Sequence, residues 1–249
     1  MIALLLAAQA VEVVAPRQAF AERYEQCLDL ATDDPQRGIA DATEWHTRGG
    51  RHFARQCLGM AYANLQRWGA AATEFTEAAR EAEVDHDTRA ARYWAQAGNA
   101  WLATGDAAKA RAALDAALAS GNLVALELGE ARFDRARALV LLGELAGARN
   151  DIDKALETAA KDPLIWLASA TLARRMGDLP RAKADAIRAH KLSPDDASVL
   201  VEIGNIAASE GDADGAQAAW REAIERQPGS DAAKAAEAAL RQFDNPPTP

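Results

Sequence analysis

Trp166-Leu-Ala-Ser-Ala170 and Gly177-Asp-Leu-Pro-Arg-Ala182, followed by Ala186, Ala189 and Pro194, decide the fold, because the same chemistry returns one segment later. Counted from the small residue at 170, glycine stands at +7, alanine at +12, +16 and +19, and proline at +24. Gly204, Gly211, Ala216, Trp220, Ala223 and Pro228 repeat those offsets, so all six positions advance by 34 residues. A fixed period of this length means stacked copies of one supersecondary unit, none of which can bury its apolar face alone.

Three weaker copies lie upstream. Trp94, Gly98, Trp101, Gly105, Ala110, Leu114 and Ala117 form one, and Ala136, Gly143, Ala148, Ile152 and Ala155 another. Gly59, Tyr62, Ala71, Phe75 and Ala78 form the first, which lacks both the turn glycine and the final proline. The anchors at 59, 98, 136, 170 and 204 are 39, 38, 34 and 34 residues apart, which places longer connections around Glu83 to Thr88 and Ser120 to Leu126. Small residues at the anchors let two helices approach closely, and glycines at 105, 143, 177 and 211 suit a chain reversal that needs positive φ. Asp162-Pro163 and Ser193-Pro194-Asp195 supply capping residues and first-turn prolines for helix starts.

This pattern resembles the tetratricopeptide-repeat (TPR) family, with its small residue, turn glycine, paired alanines and closing proline. The resemblance implies an all-α, right-handed superhelical solenoid with repeats at about 52–85, 91–124, 129–162, 163–196 and 197–230. Residues 16–50 read as a divergent hairpin, with Asp34-Pro35 opening its second helix and Gly49-Gly50 ending it. Ser230 caps a helix over 231–243 that covers the exposed end of the array, and 244–249 form a disordered tail.

Composition agrees. Of 249 residues 49% are apolar and only 6% aromatic, which favours close helix packing over sheets. A net charge of −9 argues against a nucleic-acid surface. Arg132, Arg135 and Arg137 have acidic neighbours such as Glu130 and Asp134 within a turn or two and read as solvated helix faces. No nucleophile elbow, phosphate loop, zinc-protease helix or dinucleotide fingerprint occurs, so neither an enzyme nor a bound cofactor is expected.

Ile2-Ala-Leu-Leu-Leu-Ala-Ala8 followed by Ala8-Gln9-Ala10 reads as a short export signal over 1–10, although no basic residue precedes it and Arg17 is the first. An apolar first helix is the alternative, and with it a cytoplasmic regulator. No later stretch reaches the ~20 apolar residues of a membrane span. Cys27 and Cys57 are either a disulfide pinning the N-terminal end, if the chain is exported, or two small buried apolar residues. His46 and His52 lie near Cys57 in sequence, but the spacing fits no zinc pattern. Trp94, Trp101, Trp166 and Trp220 fall on repeat positions and read as packing residues; Trp45 and Trp68 read as inter-repeat packing.

The family resemblance implies a concave groove lined by the first helices, which holds a peptide or a partner helix. Carried over by register, its positions are Gln56, Met60 and Asn64; Arg92, Asn99 and Leu102; Phe133 and Arg137; Leu167, Thr171 and Arg174; and Val201, Asn205 and Ser209. The asparagines and arginines are expected to donate to a partner's backbone and carboxylates, with Met60, Leu102, Phe133 and Val201 as apolar contacts. Asn99 and Asn205 stand without the lysines of the family's carboxylate-clamp subclass, so a chaperone-tail clamp is not expected. The expected partner is a protein or peptide, and the expected state a monomer or homodimer.

Overall fold

Alanine at the contact positions of every helix sets the architecture: with only a methyl to bury, helices approach until their backbones nearly touch. The computed structural model describes residues 16–244, so the signal read at 1–10 and the last five residues of the tail lie outside the described residues. Among these, thirteen α-helices follow one another and no strand occurs. After α1 (Pro16–Asp33) and α2 (Pro35–Trp45), a π-helical turn at His46–Gly50 reverses the chain through Gly49, whose φ is 95°. Five antiparallel pairs follow: α3 (Arg51–Asn64) with α4 (Trp68–Val84), α5 (Ala90–Thr104) with α6 (Ala107–Ala119), α7 (Ala125–Leu141) with α8 (Leu145–Thr158), α9 (Pro163–Arg175) with α10 (Leu179–Leu192), and α11 (Ala197–Glu210) with α12 (Ala213–Arg226). Each pair packs on the next, and α13 (Asp231–Asp244) closes the stack against α11 and α12.

Inside each hairpin the anchor meets the residue sixteen positions later. A Cβ built on Gly59 would stand 2.5 Å from Phe75, one on Gly98 2.4 Å from Leu114, and one on Gly204 2.4 Å from Trp220. In the other two hairpins the anchor is alanine: Ala136 faces the turn bearing Ile152, and Ala170 that bearing Ala186, all four buried. Large therefore opposes small in four of the five hairpins, while alanine opposes alanine in the α9–α10 pair.

The five turns between paired helices share one hydrogen-bond pattern. Gly105 N–H donates to the Leu102 carbonyl and Asp106 N–H to Trp101, at 3.0 and 3.1 Å, the doubled C-terminal cap of a helix that ends in the left-handed region. Residues 143–144, 177–178 and 211–212 repeat it, with glycine φ of 79°, 81° and 83°. The first repeat, which lacks the glycine, keeps the pattern: Gln66 takes the position at φ 57°, and its N–H and that of Arg67 donate to Ala63 and Tyr62. A non-glycine residue there costs on the order of 1 kcal/mol, which the surrounding hairpin absorbs. Asp106, Asp178 and Asp212 then cap α6, α10 and α12. The longer connections fall at 85–89 and 120–124, between repeats, as the anchor spacing requires.

Cys27 of α1 and Cys57 of α3 are fully buried and disulfide-bonded, with Cα atoms 6.0 Å apart. A cross-link closing 30 residues removes roughly 3–4 kcal/mol of unfolded-state loop entropy in the chain-entropy account. Around it Phe20 and Tyr24 pack edge-on against Phe53, and the Arg23 guanidinium lies over Trp45 at 4.6 Å. At the other end Ala233 and Ala236 of α13 are buried, Phe243 meets Trp220 edge-on, and Ser230 caps the helix through Ala233 N–H at 3.0 Å.

The anchor contact is open to test. Gly98→Ala is expected to cost roughly 1–3 kcal/mol in urea unfolding by overpacking against Leu114. Gly98→Ala with Leu114→Ile, which reproduces the Ala136–Ile152 pairing of the third repeat, should recover most of that loss; a double variant no more stable than Gly98→Ala alone would refute the pairing.

Candidate functional site

Three consecutive first helices, α3, α5 and α7, form the wall of an open recess of about 310 Å³. Its lining is drawn from these first helices alone, with Leu123 just ahead of α7. Ala95, Leu123 and Ala131 supply an apolar floor. Gln56, Gln96 and Asn99 form a row of amides across it, and Gln56 Nε2 donates to Gln96 Oε1 at 3.2 Å. The Tyr24 hydroxyl donates to Gln56 Oε1, which fixes that amide's orientation.

The charged lining is lopsided. The lining holds Glu127, Glu130 and Asp134 with one cation, Arg92, and Arg137 reaches Asp134 from outside it. Arg92 Nε pairs with Glu127 Oε1 at 2.7 Å, while Glu127 Oε2 is buried with no hydrogen-bond partner. Asp134 accepts from Asn99 Nδ2 and from Arg137 Nη1, each at 2.9 Å. Glu130 is exposed and has no ion pair or hydrogen bond to its side chain among the described residues.

The structure brings Gln56, Arg92 and Asn99 together in this recess and places the other expected groove residues elsewhere. Leu102 is buried against Ala110 and Ala138, so it is a core residue rather than an apolar groove contact. Met60 packs on the Phe75 cluster, Phe133 on the Ile152 cluster and Val201 on the Trp220 cluster. Asn64 donates to the Ala31 carbonyl at 3.0 Å and so ties α3 to α1. Asn205 accepts from Trp220 Nε1 at 3.2 Å, and Ser209 turns back to the Asn205 carbonyl at 2.8 Å. Leu167 and Thr171 are half-buried on α9.

The arginines and Asn99 correct the expectation of free donors, because each already serves a carboxylate of its own chain. Arg174 grips Glu202 of the next hairpin with two nitrogens, at 2.7 and 3.2 Å. Sequence reading missed Gln96, Glu127, Glu130 and Asp134. A signal was present: Glu130 and Asp134 stand six and two positions before anchor 136, as Arg92 and Gln96 do before anchor 98. Proximity to Arg132 and Arg135 concealed it. Arg135 looks away from its sequence neighbours, binding buried Asp151 at 2.7 Å through two nitrogens and Asp115 at 2.9 Å. The hydrogen bond to Asp151 raises its pKa further above the ordinary arginine value, so it is a fixed positive charge.

Further along, Arg149, Asp153, Arg181, Asp185 and Ser169 close a polar ring across α8, α9 and α10. At the N-terminal end the histidines and cysteines do not converge. Cys27 and Cys57 bind each other, and His46 pairs with Glu81 at 3.5 Å. His52 is buried beside Asp85, Asp87 and the Tyr93 hydroxyl, and burial lowers its pKa against the pull of those carboxylates. Among the described residues no three His, Cys, Asp or Glu side chains are grouped to hold a metal. No helix among them is long and apolar enough to cross a membrane.

If Arg174 serves the stack, Arg174→Ala should cost about 3 kcal/mol by stranding the buried Glu202 carboxylate. Arg174→Met with Glu202→Leu should return stability close to wild type in urea titration. A residue spent only on a ligand would leave stability unchanged in the single variant.

No protein-family model matches the sequence, and no curated protein does. Solved structures do. PilW, a widely conserved type IV pilus biogenesis factor, superposes with a TM-score of 0.73 at 16% identity, over 90% of this chain and 99% of its own. PilF of Pseudomonas aeruginosa gives 0.70 at 15%, over 89% and 99%. YrrB, a TPR protein with an unusual peptide-binding site, gives 0.61 at 18%, over 80% and 97%. Identities this low carry the fold alone, and with the anchor contacts and the repeated turns they show that this chain has the tetratricopeptide-repeat fold.

Proposed function

We propose that the chain is a non-enzymatic scaffold of the cell envelope, which holds a peptide or a partner helix in its concave groove. The observation that carries this reading is the recess between α3, α5 and α7: an apolar floor under a row of amides, preformed on the inner face and large enough for one or two side chains of an extended segment. Amides suit such a partner because each offers both a donor and an acceptor to a peptide backbone. Because hydrogen bonds and packing already hold the wall, little ordering entropy is lost on the receptor side when a partner arrives.

Two considerations support the envelope. A buried disulfide at the start of the stack suits an oxidising compartment, and the apolar run at residues 2–8 suits export. One of the similar structures is a pilus biogenesis factor and another has a peptide-binding site, which agrees with the same role.

A photo-crosslinking amino acid at Gln96, on the inner face, should give a discrete protein adduct in native cells. One at Arg188, exposed on α10 outside the recess, should not. Ala95→Trp, which fills the recess, should abolish the Gln96 adduct. Equal yields from both positions, or an adduct that survives Ala95→Trp, would place the partner elsewhere. Intact mass of the native protein without reductant addresses the compartment. A chain beginning at Val11 and lighter by two hydrogens is expected, and a full-length reduced chain would return the protein to the cytoplasm.

A further inference from the structure

The recess contains more acceptors than donors, and that imbalance specifies its occupant. We infer that the concave groove, read above as a peptide site, selects a segment with a basic side chain, and that this side chain enters between Glu127, Glu130 and Asp134. This inference rests on the groove reading and specifies its chemistry.

Three observations lead to it independently. The first is an unsatisfied acceptor: Glu127 Oε2 is buried and unpaired while its sister oxygen is held by Arg92. A carboxylate oxygen shielded from water and left without a donor is a cost to the free protein, so a ligand that brings an N–H there gains what the free protein lacks. The second is a surplus charge. Asp134 is served by Asn99 and Arg137, and Glu127 by Arg92, but Glu130, one turn from each on α7, has no cation of its own. The third is shape. Ala95, Ala131 and Leu123 make an apolar floor beside the carboxylates, which suits the methylene stem of an arginine or lysine while the head reaches the acids.

The remaining donors exclude the opposite choice. An acidic partner side chain would need Arg92, Asn99 or Arg137 to abandon a carboxylate of its own chain at 2.7–2.9 Å, and would then stand beside three carboxylates. A basic one completes Glu127 and Glu130 without breaking any of these bonds. Gln56 and Gln96 remain for the segment's backbone, which runs along the groove past the buried head group. Arginine fits better than lysine, since a planar guanidinium can serve two carboxylates at once.

The test uses the full chain and three acetylated, amidated heptapeptides, alanine throughout except for a central arginine, alanine or glutamate. Side-chain amide resonances of Gln56, Gln96 and Asn99 are followed by NMR during titration. The arginine peptide should shift all three amides and bind about tenfold more tightly than the alanine peptide, a preference that falls with added salt. Glu127→Gln with Glu130→Gln should erase the preference, so that the arginine and alanine peptides bind equally. If the alanine or glutamate peptide shifts the amides as strongly as the arginine peptide, or if the arginine preference survives the double substitution, the charge inference fails and the groove reading stands. If no peptide moves any of the three amides, the groove reading fails and the inference falls with it.

Discussion

Everything in this molecule hangs on a backbone meeting a side chain. At each hairpin the anchor in the first helix has no side chain beyond a methyl, and the residue sixteen positions on occupies the space that absence leaves. The contact fixes how close the two helices come, which fixes the tilt of the hairpin and where the next one lies. A longer side chain at an anchor would displace the neighbouring hairpin as well as its own, because in a linear array each unit is the platform for the one after it. The invariant part is therefore the small residue at the anchor. Phenylalanine, leucine, isoleucine and tryptophan all occur on the large side, and the one hairpin with alanine on both sides gains Ile206 of the following repeat in its cluster.

Polar side chains do a second job between helices. Arg174 with Glu202, Arg135 with Asp151 and the ring through Arg149, Asp153, Arg181, Asp185 and Ser169 all cross from one helix to another. Alanine surfaces are nearly featureless and would slide against one another at little cost. Buried ionic contacts are a poor source of net stability but a good way to penalise a wrong register, since a shift by one turn would strand a charge in the interior. Here the apolar contact supplies adhesion and the ionic contact supplies the address.

Fold and site were legible to different degrees for this reason. Anchors, turns and caps recur at constant offsets, so a single sequence contains several readings of the same fact; even Gln66, where the glycine is missing, is identifiable by its place in the count. Groove chemistry does not recur. It depends on which charges meet across separations that only the superhelix sets, such as Asn99 with Asp134 and Arg92 with Glu127. Reading Glu130 and Asp134 as partners of adjacent arginines holds for Asp134 with Arg137 and fails for Glu130 and for Arg135, which reaches Asp151 on the antiparallel neighbour. Register could have placed the acids in the groove, but only the fold shows that Arg92, Arg137 and Arg174 are already engaged.

The bridge between Cys27 and Cys57 gives the array a direction. Units that touch only their neighbours would otherwise fray alike from both ends, the opening free energy rising towards the middle. A covalent tie between α1 and α3 blocks fraying at the start of the chain, while α13 holds the far end by alanine contacts and one aromatic pair. Opening is then expected to proceed from the C-terminal hairpins inwards, with amide protection rising towards the bridge. The recess on α3, α5 and α7 lies in the last part to open, so the wall that would meet a partner stays assembled while the distal hairpins breathe.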